Sequence, residues 1–298
     1  MADLAPSDRS TQLASILLRV AAAGLMVAMS ACVKMAADKV ELGQVIFWRS
    51  ALSLVPIVIF LALRHDFPGG LRTQRPRAHL LRSGLGFVTM VCSFVSFKYL
   101  SLANATALSF LVPLITLPLA GLMLRERITP RILLCVGLGF AGVLVLLGPD
   151  LSAPGTESGF LLGVAGGLGY ALSMSLLRIF IKRMTVTETS SAIAFYFGLT
   201  CAGIALASLP FGWTMPGAET WGYLIGAGLL GGVGHIAATE AIARAPVSLL
   251  GPFEYTALIW AMLLDIALFA AFPQTLAVLG GGIIILAALL ASGSRAAR

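Results

Sequence analysis

Apolar residues run through this chain in blocks separated by short clusters of charge, proline and glycine. The blocks lie at about 12–37, 43–63, 78–99, 104–124, 130–148, 158–181, 189–209, 219–243, 248–269 and 275–293. None alternates with a period of two, which excludes the strands of a membrane barrel. At 1.5 Å rise per residue a helix of about 20 residues crosses the hydrocarbon core. The pattern therefore predicts an all-α multipass membrane protein of ten transmembrane helices, with no soluble domain. The first block is too long for an apolar signal core and nine more follow it, so a cleaved leader is not expected.

Composition supports lipid as the surrounding solvent. Of 298 residues, 58% are apolar and only 11% charged, against roughly 25% charged in a soluble domain. The mean hydropathy is +0.96. Net charge +7 would suggest nucleic acid in a soluble protein, but here Arg and Lys sit between apolar runs, so their partner is the lipid bilayer and no nucleic acid is expected. Cys32, Cys92, Cys135 and Cys201 lie inside apolar runs at no metal-ligand spacing. They are read as small hydrophobes, with no metal, disulfide framework or cofactor expected.

Charge also orients the chain. With the N-terminus inside, sixteen of the twenty Lys and Arg collect on the cytoplasmic side, including Arg64, Arg72, Arg75, Arg77 and Arg82, while Lys34, Lys39 and Lys98 fall outside and Arg49 within a span. By the positive-inside rule both termini face the cytoplasm.

The two halves of the sequence echo each other. Gly24, Met29 and Ser30 reappear as Gly169, Met174 and Ser175, and Phe47-Trp48 lines up with Phe195-Tyr196. This predicts two repeats, 1–148 and 158–298, joined by an outer linker at 149–157. Five spans is an odd number, so the second repeat enters the membrane upside down. Inverted repeats recur in secondary transporters, where two copies rock about a central site. No Walker loop, Gly-x-Ser-x-Gly elbow or His-Glu-x-x-His helix is present, so neither a nucleotide-driven pump nor an enzyme is expected.

At this point a family resemblance is visible. Phe47-Trp48-Arg49, Ala103-Asn104-Ala105-Thr106-Ala107 leading into span four, Pro113 within it, Arg125-Glu126-Arg127 after it and Gly137-Leu138-Gly139-Phe140-Ala141-Gly142 in span five resemble the EamA-type branch of the drug/metabolite transporter superfamily. Arg77-Ala78-His79-Leu80-Leu81-Arg82-Ser83 and Pro252-Phe253-Glu254-Tyr255-Thr256 look closest to the subgroup of S-adenosylmethionine and riboflavin permeases. The resemblance implies a bacterial inner-membrane permease for a small-molecule substrate. Its expected cargo is an amine-bearing metabolite, amino-acid-like or S-adenosylmethionine-like. A riboflavin-like or drug-like solute is the alternative cargo, and a channel or intramembrane enzyme the alternative class. Monomer and homodimer both stay open.

Ionisable groups inside a span are costly unless paired or wet, which makes each a functional candidate. Glu254 follows Pro252, whose ring frees a carbonyl and favours a bend facing a cavity. Its carboxylate suits an ammonium or sulfonium group, and Tyr255 adds an aromatic face for the cation. His235 sits among glycines and alanines in span eight; with Glu254 it is the candidate pair for proton coupling. Ser30, Tyr170 and Ser173 are expected to line a cavity, as is Phe94 on the Phe87, Met90, Phe94, Phe97 face. Arg49 and Asp265 lie at comparable depth and are expected to pair as an outer gate or strut. Glu240 has Arg244 one turn later and is expected to pair locally. Gly163 with Gly167, Gly222 with Gly226 and Gly228 with Gly232 are expected to form smooth packing faces.

Overall fold

The computed structural model of the chain describes residues 9–124, 130–151, 158–184, 187–244, 250, 253 and 255–293. In order these form α1 (Arg9–Ala37), α2 (Leu42–Leu63), α3 (Pro76–Tyr99), α4 (Leu102–Ser109), α5 (Leu111–Leu124), α6 (Pro130–Leu151), α7 (Ser158–Met184), α8 (Ser190–Leu206), α9 (Ala218–Arg244), α10 (Thr256–Phe269) and α11 (Thr275–Gly293), with a 3₁₀ turn at Gly69–Leu71 between α2 and α3. Five helices are long and apolar enough to cross a membrane: Leu13–Ala37, Leu42–Leu63, Pro76–Tyr99, Gly159–Ile181 and Ala218–Ala241. Shorter apolar helices occupy the other five expected spans. No strand occurs among the described residues. Lipid-facing side chains such as Ile59, Leu134, Leu144, Leu263 and Leu279 are exposed, as a bilayer rather than water requires.

One expectation about span boundaries is corrected. Span four is not one helix: it breaks at Phe110 into α4 and α5. Pro113, in the first turn of α5, has no N–H with which to reach the Ser109 carbonyl, so the hydrogen-bond ladder is interrupted there. The expected start of span nine at 248 lies outside the described residues, whose helix there is Thr256–Phe269.

Helix ends follow their sequence signals. Pro76 opens α3 at a position where a missing N–H costs nothing. Ser101 caps α4 by accepting from the Asn104 amide, and Thr189 caps α8 by accepting from Ala192.

The packing obeys an inverted two-fold relation. Matching α1 with α7, α2 with α8, α3 with α9, α4–α5 with α10 and α6 with α11 turns the most extensive contacts into other observed ones. Thus α1 packs on α9 and α7 on α3; α2 packs on α9 and α8 on α3; α1 packs on α10 and α7 on α4 and α5. The remaining pairs, α2 with α8, α4 with α10 and α6 with α11, are their own mates. Most of the contact surface therefore lies between the halves, which interlock.

Small residues set these crossings. A Cβ on Gly280 would overlap the Leu146 backbone and approach the Gly142 carbonyl to 2.6 Å, so α6 and α11 touch backbone to backbone. Gly163 and Gly167 receive Tyr99, Leu100 and Leu108, while Gly228 and Gly232 receive Leu52 and Pro56, as their spacing predicts. Gly226 meets Cys32, but Gly222 faces open space, which corrects that pairing.

Candidate transport site

Four helices bring unusual polar groups to mid-membrane level. Arg49 lies seven residues into α2, roughly 10 Å from its N-terminal end, and Arg82 six residues into α3, roughly 9 Å from its N-terminal end. Both are buried, at 5% and 8% exposure. Arg49 Nη1 donates to the Met90 thioether at 3.5 Å. The Arg82 guanidinium stacks 4.2 Å above the Phe197 ring of α8, a favourable but partial compensation for its charge. On α9 a Cβ built on Gly231 would lie 3.7 Å from Arg49 Nε and Nη2. His235, one turn further on the same face, is exposed despite its central level and lies within electrostatic reach of both arginines. Cys201, one turn after Phe197 on α8, is also within reach of both.

Arg82 is the residue that the charge count misplaced. Counted there among the cytoplasmic loop cations, it is instead inside α3 and nearly sealed from solvent. The signal was its position six residues after Pro76, between Leu80-Leu81 and Ser83-Gly84.

The expected pair of Arg49 with Asp265 does not form. Asp265 is buried near the C-terminal end of α10, where Oδ1 accepts from the Leu102 amide at 2.9 Å and Oδ2 from Ala103 at 2.7 Å. With Ser101, it satisfies the first three amides of α4, where the helix dipole also favours a carboxylate. Lys34 of α1 donates to the Phe97 carbonyl at 2.9 Å and to that of Leu100, within electrostatic reach of Asp265. Equal depth placed Arg49 and Asp265 at one level, but they face different helices. Asp265 also lines a cavity of about 330 Å³ with Tyr99, Ser101, Asn104, Phe160 and Gln274.

At the opposite end Glu188, in the α7–α8 connection, holds the first half. Its Oε2 lies 2.9 Å from His79 Nε2, and its Oε1 accepts from the Gln74 amide at 3.1 Å. Burial alone would raise this carboxyl; hydrogen bonds from His79, Thr73 and the Gln74 amide outweigh it and hold the group below its ordinary value. Thr189 donates to the Gly70 carbonyl at 2.9 Å and Tyr196 to that of Leu71 at 3.0 Å. Glu240 pairs with Arg244, as the i, i+4 spacing predicts, at 2.9 Å, and also with Arg64 of α2 at 2.8 Å. His79 and Glu188, 109 positions apart, carried no local signal that would have joined them.

The remaining candidates divide. Glu254 lies outside the described residues. Tyr255 is half-buried and meets Phe110 edge to face with ring centroids 5.0 Å apart, and Tyr170 is half-buried against the same apolar cluster. Ser30, Ser173 and Phe94 are buried rather than lining open space, at 7%, 7% and 2% exposure. The Ser30 hydroxyl donates to the Met26 carbonyl at 3.0 Å and Ser173 to that of Gly169 at 2.7 Å. Met26 and Gly169 face α9 and α3 respectively, so helix pairing covers both serines. Phe94 joins the cluster of Met29, Met90 and Leu224.

The sequence profile of the EamA-like transporter family matches residues 13–148 and again 159–293. The chain belongs to the EamA-like transporter family. It is thus a multipass membrane transporter. An uncharacterized transporter of Helicobacter pylori is 28% identical over 271 residues, covering 88% of this chain and 89% of that protein. The S-adenosylmethionine uptake transporter of Rickettsia prowazekii is 27% identical, over 82% of this chain and 79% of that one. The pseudopaline exporter CntI of Pseudomonas aeruginosa is 23% identical, over 94% and 96%. One solved crystal structure superposes with a TM-score of 0.67 at 20% identity, covering 96% of this chain and 98% of its own, a likeness of fold. In this EamA-like chain, the doubled profile match falls on the two halves whose helices interlock.

Proposed function

We propose that this EamA-like transporter carries a small amine-bearing metabolite, amino-acid-like or S-adenosylmethionine-like, across the bacterial inner membrane by alternating access. In this reading the repeats are 1–148 and 158–298, the linker is 149–157, and both termini are cytoplasmic. One observation carries the mechanism. Among the described residues, polar bonds between the halves close each end, with an exposed His235 between them. At the arginine-rich end they include those of Glu188, Thr189 and Tyr196 and the Arg64–Glu240 pair. At the other they are those of Asp265 with α4 and of Gln44 with Thr214, the last at 2.8 Å. A carrier needs two such closures, each weak enough to exchange for the other on the timescale of turnover.

Relatives named for S-adenosylmethionine and pseudopaline favour a small organic cargo. Glu254 is assigned the ammonium or sulfonium end, and proton coupling is assigned to His235 with Glu254. The test is uptake of labelled S-adenosylmethionine into proteoliposomes, with and without an imposed pH gradient. Saturable uptake, competed by amino acids and not by riboflavin, supports the reading. Competition by riboflavin alone overturns the cargo class, and a rate indifferent to the gradient overturns the coupling.

A further inference from the structure

We propose that Arg49 and Arg82 together bind a carboxylate group of the transported solute at mid-membrane; this rests on the transporter reading above and names the anionic end the cargo must carry. The two guanidinium groups are more than nine-tenths buried. Arg49 Nε and Arg82 Nε and Nη1 have no hydrogen-bond partner, and the charges lie within electrostatic reach of each other. Two like charges within electrostatic reach of each other, buried and with no carboxylate partner among the described residues, are unfavourable. A guanidinium does not escape by losing its proton at physiological pH.

Charged struts elsewhere among the described residues follow a different pattern. Where this protein uses charge as a strut, it supplies the acid: Glu188 for His79, Glu240 for Arg64 and Arg244, and Asp265 for α4 beside Lys34. Among the described residues no carboxylate faces Arg49 or Arg82. The neighbours are instead a thioether, a phenyl ring, a thiol and an imidazole, from Met90, Phe197, Cys201 and His235. None of these neighbours is an acid, which leaves the arginine donors to the charged end of a solute. A planar carboxylate accepts the parallel N–H bonds of a guanidinium fork. A phosphate dianion would call for further donors that this lining does not offer. His235 provides the approach: it is exposed, and it sits one turn from Gly231, against which Arg49 lies.

The experiment uses the full-length purified protein and reads thermal stabilisation by matched probes at constant ionic strength. L-methionine is compared with 3-methylthiopropylamine, S-adenosylmethionine with its decarboxylated form, and acetate with chloride; inorganic phosphate forms a separate arm. Each carboxylate is expected to stabilise the protein, with about 10- to 100-fold tighter apparent binding than its decarboxylated partner. Arg49→Gln and Arg82→Gln should abolish that preference, and Arg82→Lys should restore part of it. Should the glutamine variants fold poorly, the wild-type comparison still decides. Equal stabilisation by acid and amine, stabilisation by phosphate alone, or none by any carboxylate would overturn the proposal. Loss of the transport reading is seen separately, as absence of saturable flux in proteoliposomes while the binding preference stands.

Discussion

Phe110 and Tyr255 stand at equivalent places in the two repeats, and their rings meet edge to face with centroids 5.0 Å apart. Their separation of 145 positions is the one that relates Gly24 to Gly169 and Ser30 to Ser175. A residue touches its own symmetry mate only near the axis. This aromatic pair therefore marks where the pseudo-two-fold passes, between the α4–α5 break and the start of α10. Phe110→Ala should lower stability by about 3–5 kcal/mol. A double-mutant cycle with Tyr255→Ala should show coupling of about 0.5–1.5 kcal/mol, and strict additivity in thermal unfolding would place the pair off the axis.

The Glu188 closure predicts a pH dependence. Because its carboxyl is held below the ordinary value of 4.5, the charged form contributes stability that is complete above that value and lost as pH falls through the lowered one. Glu188→Ala should cost about 1–3 kcal/mol at pH 7. The gap between variant and wild type in melting temperature should narrow below pH 4.5. An unchanged gap at low pH would show that the effect is packing alone.

Asp265→Ala removes the acceptor of two α4 amides. Loss of such a cap costs about 0.5–2 kcal/mol, so melting should fall by that amount. Asp265→Asn, which keeps one acceptor oxygen, should recover part of it. A full recovery would show that charge near Lys34 and the α4 dipole contributes nothing.

How much of this was legible beforehand depended on the range of the signal. Ten spans, the Glu240–Arg244 pair and the glycine faces at 163/167 and 228/232 follow from local periodicity, which one helix suffices to express. Depth along a helix was legible as a count of residues from its end, which set Arg49 and Asp265 at comparable depth as an expectation. Which way each side chain points depends on how helices pair across the bundle, so the predicted Arg49–Asp265 contact failed. The same blindness hid the His79–Glu188 bond and the burial of Arg82, whose neighbour Phe197 comes from α8. Ser30, Ser173 and Phe94 were read as cavity-lining because small or aromatic residues in a span suit a cavity and a helix interface equally.

For Glu254, the sequence argument makes its own prediction. Glu254→Gln keeps the size and removes the charge, and it should abolish uptake of S-adenosylmethionine while leaving expression intact. Full uptake at normal yield would remove Glu254 from the site.

Trans-stimulation in proteoliposomes tests the central claim most directly, that two interlocked inverted halves expose one site to each side in turn. Labelled S-adenosylmethionine is offered outside to vesicles preloaded with unlabelled S-adenosylmethionine or with buffer. An alternating-access carrier returns faster when loaded, so uptake should saturate and be accelerated by the internal solute. Flux that rises linearly with concentration and ignores the vesicle contents would contradict the account, because it is the behaviour of a channel.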